Sequence, residues 1–206
     1  MVTLPRDLPR TVQLGACLVA AALLAGLLLR DVVPPLDAWI VGNLYQPPGT
    51  VAAAVATAIS GAGTLLGIGA LLVGLALAWR HGSFGLLLRH LVVLAVCAAT
   101  VFLQMVFARP GPPQTDQDWS YPSGHVVVIT ALACTAVLAA RSVPGFRPRP
   151  ALALAGGAVL LVAASRVVLA EHWLLDVAGA TAATTGIGLI AAFALRLTGP
   201  DLLPRG

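Results

Sequence analysis

The feature that most constrains this chain is a set of six apolar runs, near residues 11–29, 53–79, 86–107, 123–140, 151–170 and 174–195, parted by short polar segments. About 20 mainly apolar residues are needed to cross roughly 30 Å of hydrocarbon as a helix, and each run is close to that length. Lipid offers the backbone no hydrogen-bonding partners, so a spanning segment must be a helix or a strand of a closed barrel. A barrel would show segments of about ten alternating residues. These runs are continuous in Ala, Leu, Val and Gly. A mean hydropathy of +0.94, with 59% hydrophobic and 10% charged residues, excludes a soluble domain. The expected fold class is all-α: a polytopic membrane protein, one domain over residues 1–206, with six transmembrane helices and a short interfacial helix after the first.

The chain has no lysine, so arginines set the orientation. With a cytoplasmic N-terminus, Arg6, Arg10, Arg80, Arg89, Arg141, Arg147, Arg149, Arg196 and Arg205 fall inside, and only Arg30, Arg109 and Arg166 fall outside. This is the positive-inside pattern. Asp31, Asp37, Asp116, Asp118, Glu171 and Asp176 then lie at the outer face. The net charge of +4 thus reflects topology, and no nucleic-acid partner is expected.

The segment DVVPPLDAWIVGNLYQPPGT, framed by proline pairs and carrying Trp39 and Tyr45, reads as the interfacial helix. Gly63 and Gly67 in the second span form a GxxxG pair suited to close helix packing. Cys17, Cys97 and Cys134 all lie within apolar runs and read as small hydrophobes. LGAC at Leu14–Cys17 faintly resembles a lipoprotein cleavage box, but it stands at the start of the apolar run instead of after it, so the segment is kept as a first helix. The C-terminal RLTGPDLLPRG reads as an inner, loosely ordered end.

Three polar clusters occupy the outer ends of the last helices. Pro122-Ser123-Gly124-His125 opens the fourth span, where free amides and the helix dipole favour an anion and His125 could exchange protons with it. The alternative is a serine cap beside an interfacial histidine. Ser165-Arg166 ends the fifth span; an arginine at membrane depth costs about 2.5 kcal/mol or more without a cavity or counter-charge, and snorkelling to the interface is the plainer reading. His172 and Asp176 stand four residues apart at the start of the sixth span, on one helix face. There the carboxylate can fix one ring nitrogen and free the other as nucleophile or base, although a structural pair would look the same. Together the clusters suit phosphate: arginine and amides hold it, one histidine attacks phosphorus, and the other protonates the departing oxygen. Zinc is disfavoured, because only two histidines face this side and neither follows a HExxH-like spacing.

Pro122-Ser123-Gly124-His125 and Ser165-Arg166-x5-His172-x3-Asp176 resemble the second and third signature motifs of the type 2 phosphatidic acid phosphatase superfamily, six-helix membrane lipid phosphatases. The resemblance spans residues 104–176. It implies His172 as the nucleophile forming a phosphohistidine that water hydrolyses, Asp176 as its orienting partner, and His125 as general acid. It also implies Arg166, Ser123 and Gly124 as the phosphate cradle; the chemistry read from these residues requires no metal, and no cofactor is expected.

The first family motif is degenerate. Laying LQMVFARPGPP on K-x4-R-P-R-P puts Gln104 at the lysine and Gly111 at the motif arginine, leaving Arg109 as the one cation; anchoring on Arg109-Pro110 with six intervening residues puts Phe102 at the lysine. Two readings stay open: Arg109 swings into the vacated place with Gln104 donating a neutral hydrogen bond, or the pocket binds a phospholipid head group with little turnover. Survival of the remaining chemical set favours catalysis. The expected activity is hydrolysis of a lipid phosphate or diphosphate at the outer leaflet, with phosphotransfer as a variant. Non-catalytic lipid binding or transport is the rival from another class. An Ala/Arg/Gly-rich, lysine-free composition suggests a GC-rich bacterium, hence an inner-membrane location and a polyprenyl carrier over phosphatidate-like lipids. Oligomeric state is left open.

Overall fold

The computed structural model describes residues 9–115, 117–141 and 145–197. Arg6, Asp116 and Arg205, used above for orientation, lie outside the described residues, as does most of the C-terminal tail. The described elements are all helical: α1 (Arg10–Leu29), α2 (Pro35–Leu44), α3 (Val51–His81), α4 (Phe84–Ala98), a 3-10 turn (Ala99–Phe102), α5 (Leu103–Phe107), α6 (Gly124–Ala140), α7 (Pro148–Val168) and α8 (Leu174–Ala194). Among the described residues, five stretches are long and apolar enough to cross a membrane: Arg10–Leu29, Val51–Arg80, Phe84–Phe107, Pro148–Val168 and Leu174–Ala194. The sixth, α6, has 17 residues, about 25 Å of helix. It is the helix least in need of full length. Packed against α3, α4, α7 and α8, it buries Val126, Val127, Ile129, Ala131 and Leu132 in protein.

Boundaries follow local chemistry. Thr50 Oγ1 accepts from the Ala53 amide at 3.1 Å at the start of α3, and Ser83 Oγ accepts from Leu86 at 3.3 Å at the start of α4, each satisfying a free helix-terminal amide. Proline opens α2 and α7, where its missing N–H is no loss. The third span is one apolar stretch, Phe84–Phe107, with a change of pitch inside it. It passes through the 3-10 turn before α5, and Thr100 Oγ1 in that turn bonds the Cys97 carbonyl at 2.7 Å and Thr184 Oγ1 of α8 at 2.9 Å.

Glycines set the closest helix approaches. A Cβ on Gly63 would lie 2.6 Å from Val162 of α7, and one on Gly67 2.8 Å from Ile129 of α6; the GxxxG pair is a packing device, as read from sequence. At the α1–α8 crossing, Gly15 and Gly186 face each other so closely that a Cβ on either would meet the other's carbonyl oxygen, at 2.8 and 2.6 Å. Cys17, Cys97 and Cys134 are all free. Because the spans alternate in direction, the loops carrying residues 108–123 and 169–173 gather at the end of the bundle where α2 lies.

Candidate active site

The turn that ends α7 explains the spacing from Arg166 to His172. Ala170 adopts a left-handed conformation, φ 52°; its amide donates to the Val167 carbonyl at 2.9 Å and the Glu171 amide to Arg166 at 3.0 Å. This pair of bonds is a Schellman turn. It reverses the chain within one turn, so that His172 comes back beside the helix end that bears Arg166.

His172 is buried, and its Nδ1 bonds the Ser120 carbonyl oxygen at 2.9 Å. With Nδ1 as the donor, the lone pair resides on Nε2, and the ring lines a cavity of about 480 Å3 shared with His125, Gly124, Gln104, Gln117 and Trp119. Burial pushes the His172 pKa down to about 3, the Arg166 charge and His125 push the same way, and the Ser120 bond opposes them. The imidazole is therefore neutral at physiological pH, the state a nitrogen nucleophile requires.

The direct bond expected from Asp176 to His172 is not formed. His172 precedes the helix, since α8 starts at Leu174, so four-residue helical spacing does not apply to the pair. Asp176 Oδ2 is 3.9 Å from His172 Nδ1, beyond hydrogen-bond range. It accepts instead from the Trp173 amide at 2.9 Å, capping α8. Its Oδ1 takes Arg109 Nη1 at 2.5 Å.

Arg109 does not turn towards the cavity, as one reading of the degenerate motif had it. It is 1% exposed, and its Nη2 donates to Asp37 at 2.9 Å and to the Val32 carbonyl at 3.3 Å. The guanidinium also lies 5.7 Å from the centre of the Trp173 ring. Asp37 completes the lock by accepting from the Leu175 amide at 3.1 Å. Sequence reading missed Asp37; its sole signal was an acid within the interfacial helix. The Arg109 main chain reaches His172 as well. Its carbonyl accepts from the Ser120 amide at 2.8 Å, and Ser120 in turn holds His172.

Opposite His172, α6 begins. Pro122 stands before the Ser123 N-cap instead of inside the first turn, preceded by a cis Tyr121–Pro122 bond. Ser123 makes no side-chain cap; its Oγ is buried and unpartnered. The first helical bond of α6 runs from Val127 to Ser123 at 2.9 Å, which leaves the amides of Gly124, His125 and Val126 as the free donors of a helix N-terminus. Tyr121 packs edge-on against Phe107 at 5.4 Å and donates its hydroxyl to the Ala22 carbonyl at 2.5 Å, anchoring this loop on α1.

Arg166, 6% exposed, donates Nη1 to Ser60 of α3 at 3.2 Å and pairs through Nη2 with Glu171. Its Nε is buried without a partner. Gln104 lines the cavity, but its amide nitrogen is committed to the Pro122 carbonyl at 2.8 Å. Phe102 is 65% exposed and is not part of the cavity wall. Gly111 lies in the loop between α5 and α6, its amide 3.4 Å from the Gln117 carbonyl. The structure thus brings His172, His125, Gly124 and Gln104 together around one cavity, with Arg166 close enough to act on His172, while Arg109 and Asp176 form the scaffold behind it.

This is a polytopic membrane protein with two histidines, an arginine and a helix N-terminus gathered at one end of its bundle. Residues 85–198, more than half of the chain, match the PAP2 superfamily, and the chain belongs to that family, whose general activity is that of a phosphatase. The fold is similar to the crystal structure of the first transmembrane PAP2 type phosphatidylglycerolphosphate phosphatase from Bacillus subtilis, at 21% identity and a TM-score of 0.65 over 89% of this chain and 94% of that one. No curated protein matches the sequence.

Proposed function

We propose that the protein dephosphorylates a polyprenyl phosphate or diphosphate, or a related lipid phosphate, through a phosphohistidine. The observation that carries this reading is that His172, neutral, and His125 line one cavity with Gly124 at the N-terminus of α6; Ser123 Oγ and Arg166 Nε are two of the five buried side-chain atoms among the described residues that have no partner. Buried donors without partners are costly, and a phosphoryl group supplies the acceptors they lack. His172 Nε2 attacks phosphorus; as the P–N bond forms, the bond to the leaving oxygen breaks and His125 gives that oxygen its proton. Water then attacks phosphorus, His125 takes the proton, and the P–N bond breaks to release phosphate. Charge developing on the phosphoryl oxygens is met by Arg166, Ser123 and the first amides of α6, with no metal assigned a step.

A bacterial inner membrane with the cavity at the outer leaflet fits the arginine distribution. Arg10, Arg80, Arg89, Arg141, Arg147, Arg149 and Arg196 flank the end of the bundle away from the site. Thr64 and Val128, which belong to spanning helices, also line the cavity, so its wall extends into the depth where a lipid tail resides.

Phosphate release from a panel of lipid phosphates by the detergent-purified protein tests the proposal. Wild-type protein should release phosphate, and His172→Ala should lose activity by on the order of 10⁴-fold or more while keeping its elution profile. Equal activity in the variant would remove His172 as nucleophile. A second reading, lipid binding without turnover, is favoured by one observation: neither Gln104 nor Arg109 gives the cavity a charge. Binding of lipid phosphates with no release from any of them would select it.

A further inference from the structure

A second cavity, about 690 Å3, opens at the same end of the bundle and is walled by Gln46, Thr50, Thr57, Gln114, Thr115 and Glu171. Glu171 is the residue of this wall that pairs with the site, through Arg166. Its carboxylate pairs with Arg166, yet its side chain is 27% exposed where that of Arg166 is 7% exposed. The backbone beneath it is fixed by the Schellman turn, so the side chain can move while its Cα does not.

Charge makes this contact consequential. Among the described residues of the site, Arg109 faces two carboxylates, Asp37 and Asp176, and Arg166 faces one, Glu171. No guanidinium is left uncompensated. A phosphate approaching Arg166 meets Nη1 on Ser60, Nη2 on Glu171, and only Nε free. Two anions cannot share Nη2 at close range without repulsion.

We propose that Glu171 is a resident anion that occupies Arg166 in the empty enzyme and withdraws into the second cavity when the phosphoryl group takes its place. This inference rests on the phosphate-site reading given above. Glu171 is thereby a specificity-determining residue: it weakens the site for every phosphate alike, so that only a substrate whose tail adds binding energy in the bilayer displaces it. Inorganic phosphate and water-soluble phosphomonoesters, which carry no tail, are excluded by a built-in competitor, a repulsive route to selectivity.

The test is direct binding of inorganic phosphate to the full-length protein in detergent, by calorimetry, for wild type, Glu171→Gln, Arg166→Ala and the double variant, each with a thermal melt. Glu171→Gln keeps the shape and removes the charge. It should tighten phosphate binding about tenfold or more, the scale of one charge-assisted hydrogen bond, and the gain should vanish in the double variant. In turnover assays the same change should lower KM for a short-chain soluble phosphate more than for a long-chain lipid phosphate, with kcat within a few-fold. Unchanged or weaker phosphate binding in a Glu171→Gln protein that melts like wild type overturns the proposal. So does failure of both Glu171→Gln and Glu171→Ala to fold, which would make the pair structural. If Arg166→Ala binds phosphate as wild type does, the phosphate-site reading itself fails; if it loses binding while Glu171→Gln has no effect, only the role of Glu171 falls.

Discussion

Arg109 and Arg166 lie at the same end of the bundle, and the fold treats them in opposite ways. Arg109 is enclosed by two carboxylates, a carbonyl and an indole ring, and ties α2 to α8 and to the loop that carries Ser120. Arg166 has one hydroxyl and one part-exposed carboxylate, and Nε is without a partner in both side chains. The difference teaches how scaffold and site separate in a membrane protein. A cation held by two buried carboxylates supports the structure, and one whose single carboxylate is part-exposed and movable is left for a ligand.

The contrast can be broken most sharply at Arg109. Arg109→Ala leaves Asp37 and Asp176 buried without their cation and should cost about 3–5 kcal/mol of stability, seen as a large drop in melting temperature in detergent. Adding Asp37→Asn should recover part of it. A stable, inactive Arg109→Ala protein would mean that Arg109 belongs to the phosphate site after all. Arg166→Ala should do the reverse, raising KM about 10- to 100-fold, as expected for about 1.5–3 kcal/mol of charge-assisted hydrogen bonding, while the melt stays close to wild type. An equal fall in stability would place both arginines in the scaffold.

A separate effect concerns pH. His172 has a folded pKa of about 3, against about 6.5 for an exposed histidine. The unfolded chain therefore takes up a proton that the folded chain refuses. Stability from this group is complete above about pH 6.5 and declines as pH falls towards 3. Histidine NMR should show His172 still neutral at pH 5; protonation near pH 6.5 would disprove its enclosure. The smallest change is expected from Gln104→Lys, which adds a charge to the cavity wall next to the Pro122 carbonyl and should tighten phosphate binding several-fold. No gain would mean that position 104 does not face the bound phosphoryl group.

Much of the architecture was legible. The apolar runs anticipated the spans to within a few residues, and the proline-framed segment after the first holds the short helix α2. At the site, the motif residues His125, His172 and Arg166 do converge. The roles of their supporting residues were less legible. His172 and Asp176 were read as one helix face because they are four apart, but helix α8 begins only at Leu174, and Ser120 supplies the bond to His172 through a backbone carbonyl, which leaves no trace in side-chain identity. Arg109 was read by elimination as the last cation of a motif. Its partner Asp37 lies 72 residues away, and no spacing rule links the two.

What the sequence determined by itself was the solvent, the helices and the chemical inventory, because each follows from local composition: an apolar run of sufficient length must be a helix in lipid, and a charge within reach of lipid must find a partner. What only the tertiary structure decided was which partner each charge found. Coulomb attraction and hydrogen bonding act over a few ångströms in space and are indifferent to separation along the chain, so the choice that makes Arg109 a strut and Arg166 a binding group waited on the packing of α2, α7 and α8.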